Sequence, residues 1–194
     1  MTPAPVHAWR HPRPLGAEGR CIGAGTDLAV DPRRAKRLAH RIRRFARQLG
    51  LPRVVATSPL LRCAAVGRWL KRWGWVHRVD VALIEVDFGA WDGRHWSTIA
   101  VAEIDAWCAD FCRYAPGGGE PLEQLLQRAA AWQPAGAQLV VGHGGWLLAR
   151  RWQHEHPDGR APQPADWPMA PRYGERVVLG TACPPATGSV LAGR

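Results

Sequence analysis

The spacing of apolar positions changes period along this chain. Val6, Ala8 and Trp9 in VHAWRH form a short apolar run with poor alternation, the pattern of a strand covered on both faces, and Pro12 and Pro14 stop it. The strand predicted over 6–11 therefore brings a cation, Arg10, and an imidazole, His11, to its tip. The polar, glycine-bearing stretch 13–27 reads as a loop over that tip. From Asp31 the period becomes helical. Ala35, Leu38, Ile42, Phe45 and Leu49 make the buried stripe, Asp31 caps, Pro32 fits the first turn and Gly50 ends the helix. Arg33, Arg37, Arg41 and Arg44 lie opposite the stripe.

A second strand is predicted over 53–57 (RVVAT). Ser58-Pro59 opens a helix that carries Leu60, Ala64, Leu70 and Trp73 and stops at Gly74. A third strand follows over 76–81, with LIEVDFGAWDG, 83–93, as a turn-rich connection. Ser97 is predicted to cap a helix through 111, and Pro121 to begin another reaching about Trp132, the two forming an inserted helical layer. The clearest buried strand is 138–142 (QLVVG), after which Gly144 and Gly145 open the helix WLLARRWQHEH. The first N–H groups of that helix have no intrahelical partner and sit just after a histidine, which makes an anion site. The proline-rich stretch 157–171 reads as irregular, 173–180 as a last edge strand, and 181–194 as a flexible tail.

Strand and helix alternate, which predicts a three-layer α/β/α fold: a mostly parallel sheet with helices on both faces. At 194 residues the chain suits a single domain, 1–194, with its core over about 5–180. The five cysteines show no paired framework, as expected in a reducing compartment, and Cys108 and Cys112 lack the spacing of a zinc pair. No window of about 18 apolar residues and no basic-then-apolar N-terminus is present, so a cytoplasmic protein without membrane association is expected. The net charge of +10 rests on arginine, since Lys36 and Lys71 are the only lysines among 26 basic residues. Such a surface attracts phosphates, nucleic acids and acidic lipids alike.

The ends of the strands narrow this choice. His11 and His143 each follow a buried strand, and in open α/β sheets the ligand crevice lies outside the carboxyl ends of the strands. Arg10 and Arg62 meet them there in this reading. Guanidinium forks bind phosphoryl oxygens in pairs and offset the charge that moves onto them during in-line transfer. A neutral imidazole is itself a competent nucleophile toward phosphorus near physiological pH, provided a carboxylic acid protonates the leaving alcohol.

The order of the pieces resembles the histidine phosphatase superfamily, the phosphoglycerate-mutase-like phosphatases. Its RHGE, SPLxRA, LxExxFGxWEG, GES and SHGG motifs are matched here by Arg10-His11-Pro12, Ser58 to Cys63, Leu83 to Gly93, Gly119-Glu120-Pro121 and Gly142 to Gly145. The resemblance covers roughly 6–150. It implies phosphomonoester hydrolysis through a phosphohistidine on His11, with His143, Arg10, Arg62 and Gly144 holding the phosphoryl group and Glu85 donating the proton. It implies no metal and no organic cofactor. Within the superfamily, DAWCADFCRYAPGGGE (105–120) and GRCIGAGTDLAV (19–30) resemble α-ribazole phosphatases, which suggests α-ribazole 5′-phosphate or its cobalamin counterpart as substrate. Thr26 and Glu120 are expected to contact substrate, and Arg13 or Arg20 to replace phosphate contacts of the family that this chain lacks.

The chain also departs from the pattern. Pro12-Arg13 stands where Gly-Glu is usual, which removes one N–H and replaces a negative charge by a positive one, and the asparagine expected a few residues later has no counterpart among Leu15, Gly16 and Ala17. The alternatives are a broad sugar or nucleotide phosphatase, or a degenerate scaffold that binds nucleic acid or another anion. For the enzyme reading the partner is a small phosphorylated substrate, with neither nucleic acid nor membrane. Asp92 reads as structural, and Trp91 and Trp96 as candidate walls for a flat ring system.

Overall fold

The computed structural model describes residues 4–180; the predicted tail, 181–194, lies outside the described residues. The elements are β1 (Val6–Arg10), α1 (Pro32–Gln48), β2 (Val54–Thr57), α2 (Leu61–Arg72), β3 (Val76–Val79), α3 (Val101–Ala109), α4 (Leu122–Ala131), β4 (Leu139–Gly142), α5 (Gly144–Glu155) and β5 (Arg176–Leu179). The strands form one sheet in the order β3-β2-β4-β1-β5. All neighbours are parallel except β5, which runs antiparallel along the β1 edge. This is the predicted α/β architecture.

Alternation along the buried strands divides the core into two faces. Val6 and Ala8 of β1 and Val140 of β4 point toward α4 and α5, joining Leu125, Leu126, Trp146 and Leu147. Trp9 of β1 and Leu139 and Val141 of β4 point toward α1 and α2, joining Leu38, Ile42 and Leu70. The helical face of α1 forms as its spacing demands, with Asp31 accepting from the backbone N–H groups of Arg33 and Arg34 at 2.8 and 3.0 Å. Leu49 departs from the predicted stripe: it is the C-cap and 54% exposed, because the helix has already ended there.

Three boundaries also differ from expectation. Helix α2 starts at Leu61, because Ser58 spends its hydroxyl on the N–H of Leu60 (3.3 Å) and closes a turn ahead of the helix. Strand β3 ends at Val79, where Asp80 caps a 3-10 turn over Val81–Leu83 by accepting from Ala82 N–H at 2.9 Å. Helix α3 spans only Val101–Ala109, preceded by a 3-10 turn over Trp96–Thr98, and α3 and α4 do not form a shared layer. Leu122, Leu125, Leu126 and Ala129 dock α4 on α5, whereas α3 has no fully buried residue and lies by a small separate cluster around Cys21, Trp91 and Ile99.

This packing predicts that Ile42→Ala, at 0% exposure, destabilises the protein by about 2–5 kcal/mol in urea unfolding, while Leu49→Ala changes it by less than about 0.5 kcal/mol.

Candidate active site

Because β1, β2 and β4 are parallel, their C-terminal ends lie on one edge of the sheet, and the residues that follow them converge there. The backbone N–H of His11 donates to Gly142 at 3.0 Å, which extends the β1–β4 pairing to the tip and holds His11 beside His143. The two rings are 5.0 Å apart, centroid to centroid. Arg62, the second residue of α2, is fully buried. Its Nε donates to His143 Nδ1 (3.1 Å), and its Nη1 and Nη2 donate to the carbonyls of Thr26 and Gly23 (2.7 Å each).

The loop over the site is therefore fastened from beneath by a cation. It is shaped from the side by Asp92, which accepts from the N–H groups of Gly23 and Gly25 at 3.0 and 2.7 Å. Thr26 meets Arg62 through its backbone carbonyl and does not line the cleft, contrary to its expected contact with substrate.

His11 Nδ1 lies 2.8 Å from the Pro12 carbonyl, which can only accept, so Nδ1 carries the proton and the Nε2 lone pair is left free. Burial lowers the His11 pKa to about 3, against the opposing pull of the Pro12 carbonyl, and the charges of Arg62 and Arg10 push the same way as burial. His143 is held well below the ordinary histidine range, first by burial and then by His11, Arg62 and Arg10. Its Nδ1 accepts from Arg62, so its proton is on Nε2, 3.4 Å from the Cys63 sulfur. Burial pushes the Cys63 thiol far up, and it stays protonated.

Arg10 is placed by residues that have no motif. Its Nη1 donates to the Pro171 carbonyl at 2.8 Å, and its guanidinium lies over the Tyr173 ring, 4.1 Å from the centroid. Its Nε is buried and has no hydrogen-bond partner among the described residues.

Glu85 sits at the start of α5, accepting from Gly145 and Trp146 N–H at 3.1 and 3.0 Å as well as from Val86 N–H at 3.1 Å. A β-carbon on Gly145 would stand 2.7 Å from Glu85 Oε1, so only glycine leaves room for this carboxylate at the helix terminus. Gly144 is confined less tightly, since its β-carbon would fall 3.2 Å from Ala170 Cβ and 3.3 Å from Arg10 Cζ.

Arg10, His11, Arg13, Arg20, Glu85 and Gly144 line one cleft of about 460 Å³, with Phe88, Trp96 and Tyr173 on its walls. Arg62 and His143 lie behind it. Arg13 pairs with exposed Glu18 at 3.0 Å, and Arg20 donates to the Gly93 carbonyl at 2.8 Å.

Two expectations are corrected. Glu120 does not reach the cleft, because it is held by Arg128 (Nε to Oε1 2.7 Å, Nη2 to Oε2 2.8 Å). Arg128 in turn grips the carbonyls of Ile84 and Glu85 at 2.7 and 3.0 Å, so Glu120 bears on Glu85 through its backbone. Trp91 is fully buried in the small cluster, and only Trp96 of the two tryptophans faces the cleft.

Sequence reasoning missed Tyr173, Pro171, Cys63 and Arg128. Cys63 was within reach, since it stands at the alanine of SPLxRA directly after Arg62; the others carry no local signal. Among the described residues, no three His, Cys, Asp or Glu side chains are grouped to hold a metal, and no helix is long and apolar enough to cross a membrane.

A family model described as histidine phosphatase superfamily (branch 1) matches residues 6–159. A search of curated proteins finds no match. Solved structures do match. A mycobacterial glucosyl-3-phosphoglycerate phosphatase in complex with VO3 is similar at 22% identity and TM-score 0.69, covering 93% of this chain and 100% of its own. An α-ribazole phosphatase from Shigella flexneri is similar at 19% and 0.69, covering 90% and 89%. A protein from Thermus thermophilus is similar at 25% and 0.64, covering 90% and 92%.

Neutral burial of His11 has a measurable consequence. Between about pH 3 and the unfolded value of 6.5 the unfolded chain binds the proton and the folded chain does not. Stability from this group is thus complete above about pH 6.5 and falls as the pH drops, by at most about 1.4 kcal/mol per pH unit. The unfolding free energy is expected to decline from pH 7 to pH 5, and His11→Asn to flatten that decline; an unaltered slope in the variant would show that His11 titrates normally.

Proposed function

The chain belongs to the histidine phosphatase superfamily, branch 1, and from that premise we propose that it hydrolyses phosphomonoesters through a phosphohistidine on His11. The observation that carries this reading is the His11 tautomer. With Nδ1–H tied to the Pro12 carbonyl, the Nε2 lone pair is free, and Arg10, the preceding residue on the same cleft, has a buried Nε with no partner among the described residues. Nε2 attacks phosphorus as the ester P–O bond breaks, and protonated Glu85 delivers its proton to the departing alcohol oxygen. Glu85, now a carboxylate, takes a proton from water as that water attacks phosphorus. The P–N bond breaks, and phosphate and neutral His11 result. Arg10, Arg62 and His143 carry the charge on the phosphoryl oxygens.

For the substrate we propose α-ribazole 5′-phosphate, or the cobalamin 5′-phosphate formed from it, late in cobalamin synthesis. Support comes from the 105–120 stretch and from Phe88 and Trp96, whose rings meet edge to face at 5.9 Å on the cleft wall and suit a flat ring system.

Phosphate release from α-ribazole 5′-phosphate and from an aryl phosphate, without added metal, tests both levels. His11→Ala is expected to abolish release from both. Release from the aryl ester alone would discard the ribazole assignment and leave a broader phosphatase, and no release from either by folded protein would overturn the mechanism. Glu85→Gln should slow turnover by about 10²–10⁴-fold. With a good aryl leaving group that variant should accumulate acid-labile phosphoprotein, because the water step still lacks its base. Turnover at the natural rate would remove Glu85 from the mechanism.

A further inference from the structure

Arg13, the residue that replaces the usual glutamate after the histidine, borders two cavities. With Tyr173 it lines the catalytic cleft and also a neighbouring pocket of about 290 Å³. The far wall of this second pocket is α1, which contributes Arg34, Arg37 and Arg41. Spaced i, i+3 and i+7, these three project from one side of the helix. Arg41 reaches toward the catalytic edge: its Nη1 stands 3.4 Å from where a β-carbon on Gly174 would lie. Gly174 itself donates its N–H to the Arg10 carbonyl at 2.9 Å, one residue before His11.

Four guanidinium groups therefore surround one small pocket beside the nucleophile, and acid does not balance them. Arg13 has its exposed pair with Glu18, while Arg34, Arg37 and Arg41 have no ion pair among the described residues. Asp31 caps the helix start through backbone N–H groups and its charge couples to Arg34, leaving Arg37 and Arg41 without an acidic partner among the described residues. Packing requires only that these α1 positions be polar, since the helix docks through Leu38 and Ile42. Like charges gathered this closely repel one another, and a bound anion relieves the repulsion. Arg41 also lines a groove with Arg44 and Arg47, so the positive field continues along α1 away from the cleft.

We infer that the pocket between Arg13 and the Arg34–Arg37–Arg41 face of α1 is a second anion subsite, which selects phosphomonoesters whose leaving group carries a second phosphate. This rests on the phosphatase mechanism alone and adds a substrate class to it. It does not rest on the ribazole assignment, since α-ribazole 5′-phosphate carries one phosphate and leaves this pocket unfilled. The transferred phosphoryl group sits at His11, the second phosphate sits among the α1 arginines, and Arg13 lies between the two. Guanidinium forks suit that phosphate, because each offers paired donors to its oxygens.

The test compares a pentose 5-phosphate with the matching 1,5-bisphosphate and an aryl phosphate, for the natural protein and for Arg37→Ala/Arg41→Ala. Both substituted residues are exposed, so the variant folds. The natural protein is expected to favour the bisphosphate over the monophosphate by about tenfold or more in kcat/KM, and the variant to lose that preference through KM. Its aryl phosphate turnover should be unchanged. Equal kcat/KM for the two sugar phosphates in the natural protein, or an equal loss on all three substrates in the variant, overturns the subsite. If no ester is hydrolysed, the phosphatase reading fails, and calorimetric titration of the same two sugar phosphates decides the subsite separately. Tighter bisphosphate binding that the double substitution removes supports it, and equal binding rejects it.

Discussion

The site depends on a buried cation with no ion pair among the described residues. Arg62 is fully enclosed and has no carboxylate among its hydrogen-bond partners. Removing a guanidinium from water costs several kcal/mol unless its donors are satisfied. Two loop carbonyls and an imidazole satisfy three of them and leave the charge itself unneutralised. That charge fixes the tautomer of His143, adds to the burial that keeps both histidines neutral, and ties the 23–26 loop to α2. In the proposed reaction the neutralising negative charge comes from the phosphoryl group. The positions of Arg62 and its partners are fixed by protein contacts alone, which is the condition for electrostatic stabilisation without reorganisation.

Everything else at the edge serves placement. The parallel pairing of β1 with β4 brings His11 and His143 together, and the N-terminus of α5 meets Glu85 because Gly145 leaves space that a side chain would fill. The Glu120–Arg128 pair acts one step removed, anchoring the carbonyls of Ile84 and Glu85 and so the position of the carboxylate. Arg10 is steadied by Tyr173 and the Pro171 carbonyl, yet keeps its Nε unpartnered. The result is a polar cluster satisfied on its protein side and open toward the ligand.

The same chain places its excess arginine unevenly. On α1 the arginines face solvent because the opposite stripe is apolar, and three of them also face the pocket that Arg13 shares with the cleft. A helix whose packing needs only amphipathicity is free to carry charge on its outer side. Here that freedom extends the positive field from the cleft outward.

The sequence by itself determined the buried strands, the α1 stripe with its cap, the layer order and the identity of the central cluster: His11, Arg10, Arg62, Glu85 and His143. The strands, the stripe and the layer order follow from local periodicity and turn chemistry, which act over a few residues. The rule that parallel strands share an edge brings His11 and His143 together with Arg10 and Arg62, and Glu85 is singled out only by the motif resemblance. Only the tertiary structure decided that Tyr173 and Pro171 would clamp Arg10, that Glu120 would belong to Arg128, that Trp91 would be buried while Trp96 faced the cleft, and that α3 and α4 would part company. Each of these is a contact between segments distant in sequence, set by where a loop or a frayed helix end comes to rest. Neighbouring residues constrain the dihedral angles of such segments but not their destination, so the sequence pattern carries no mark of it.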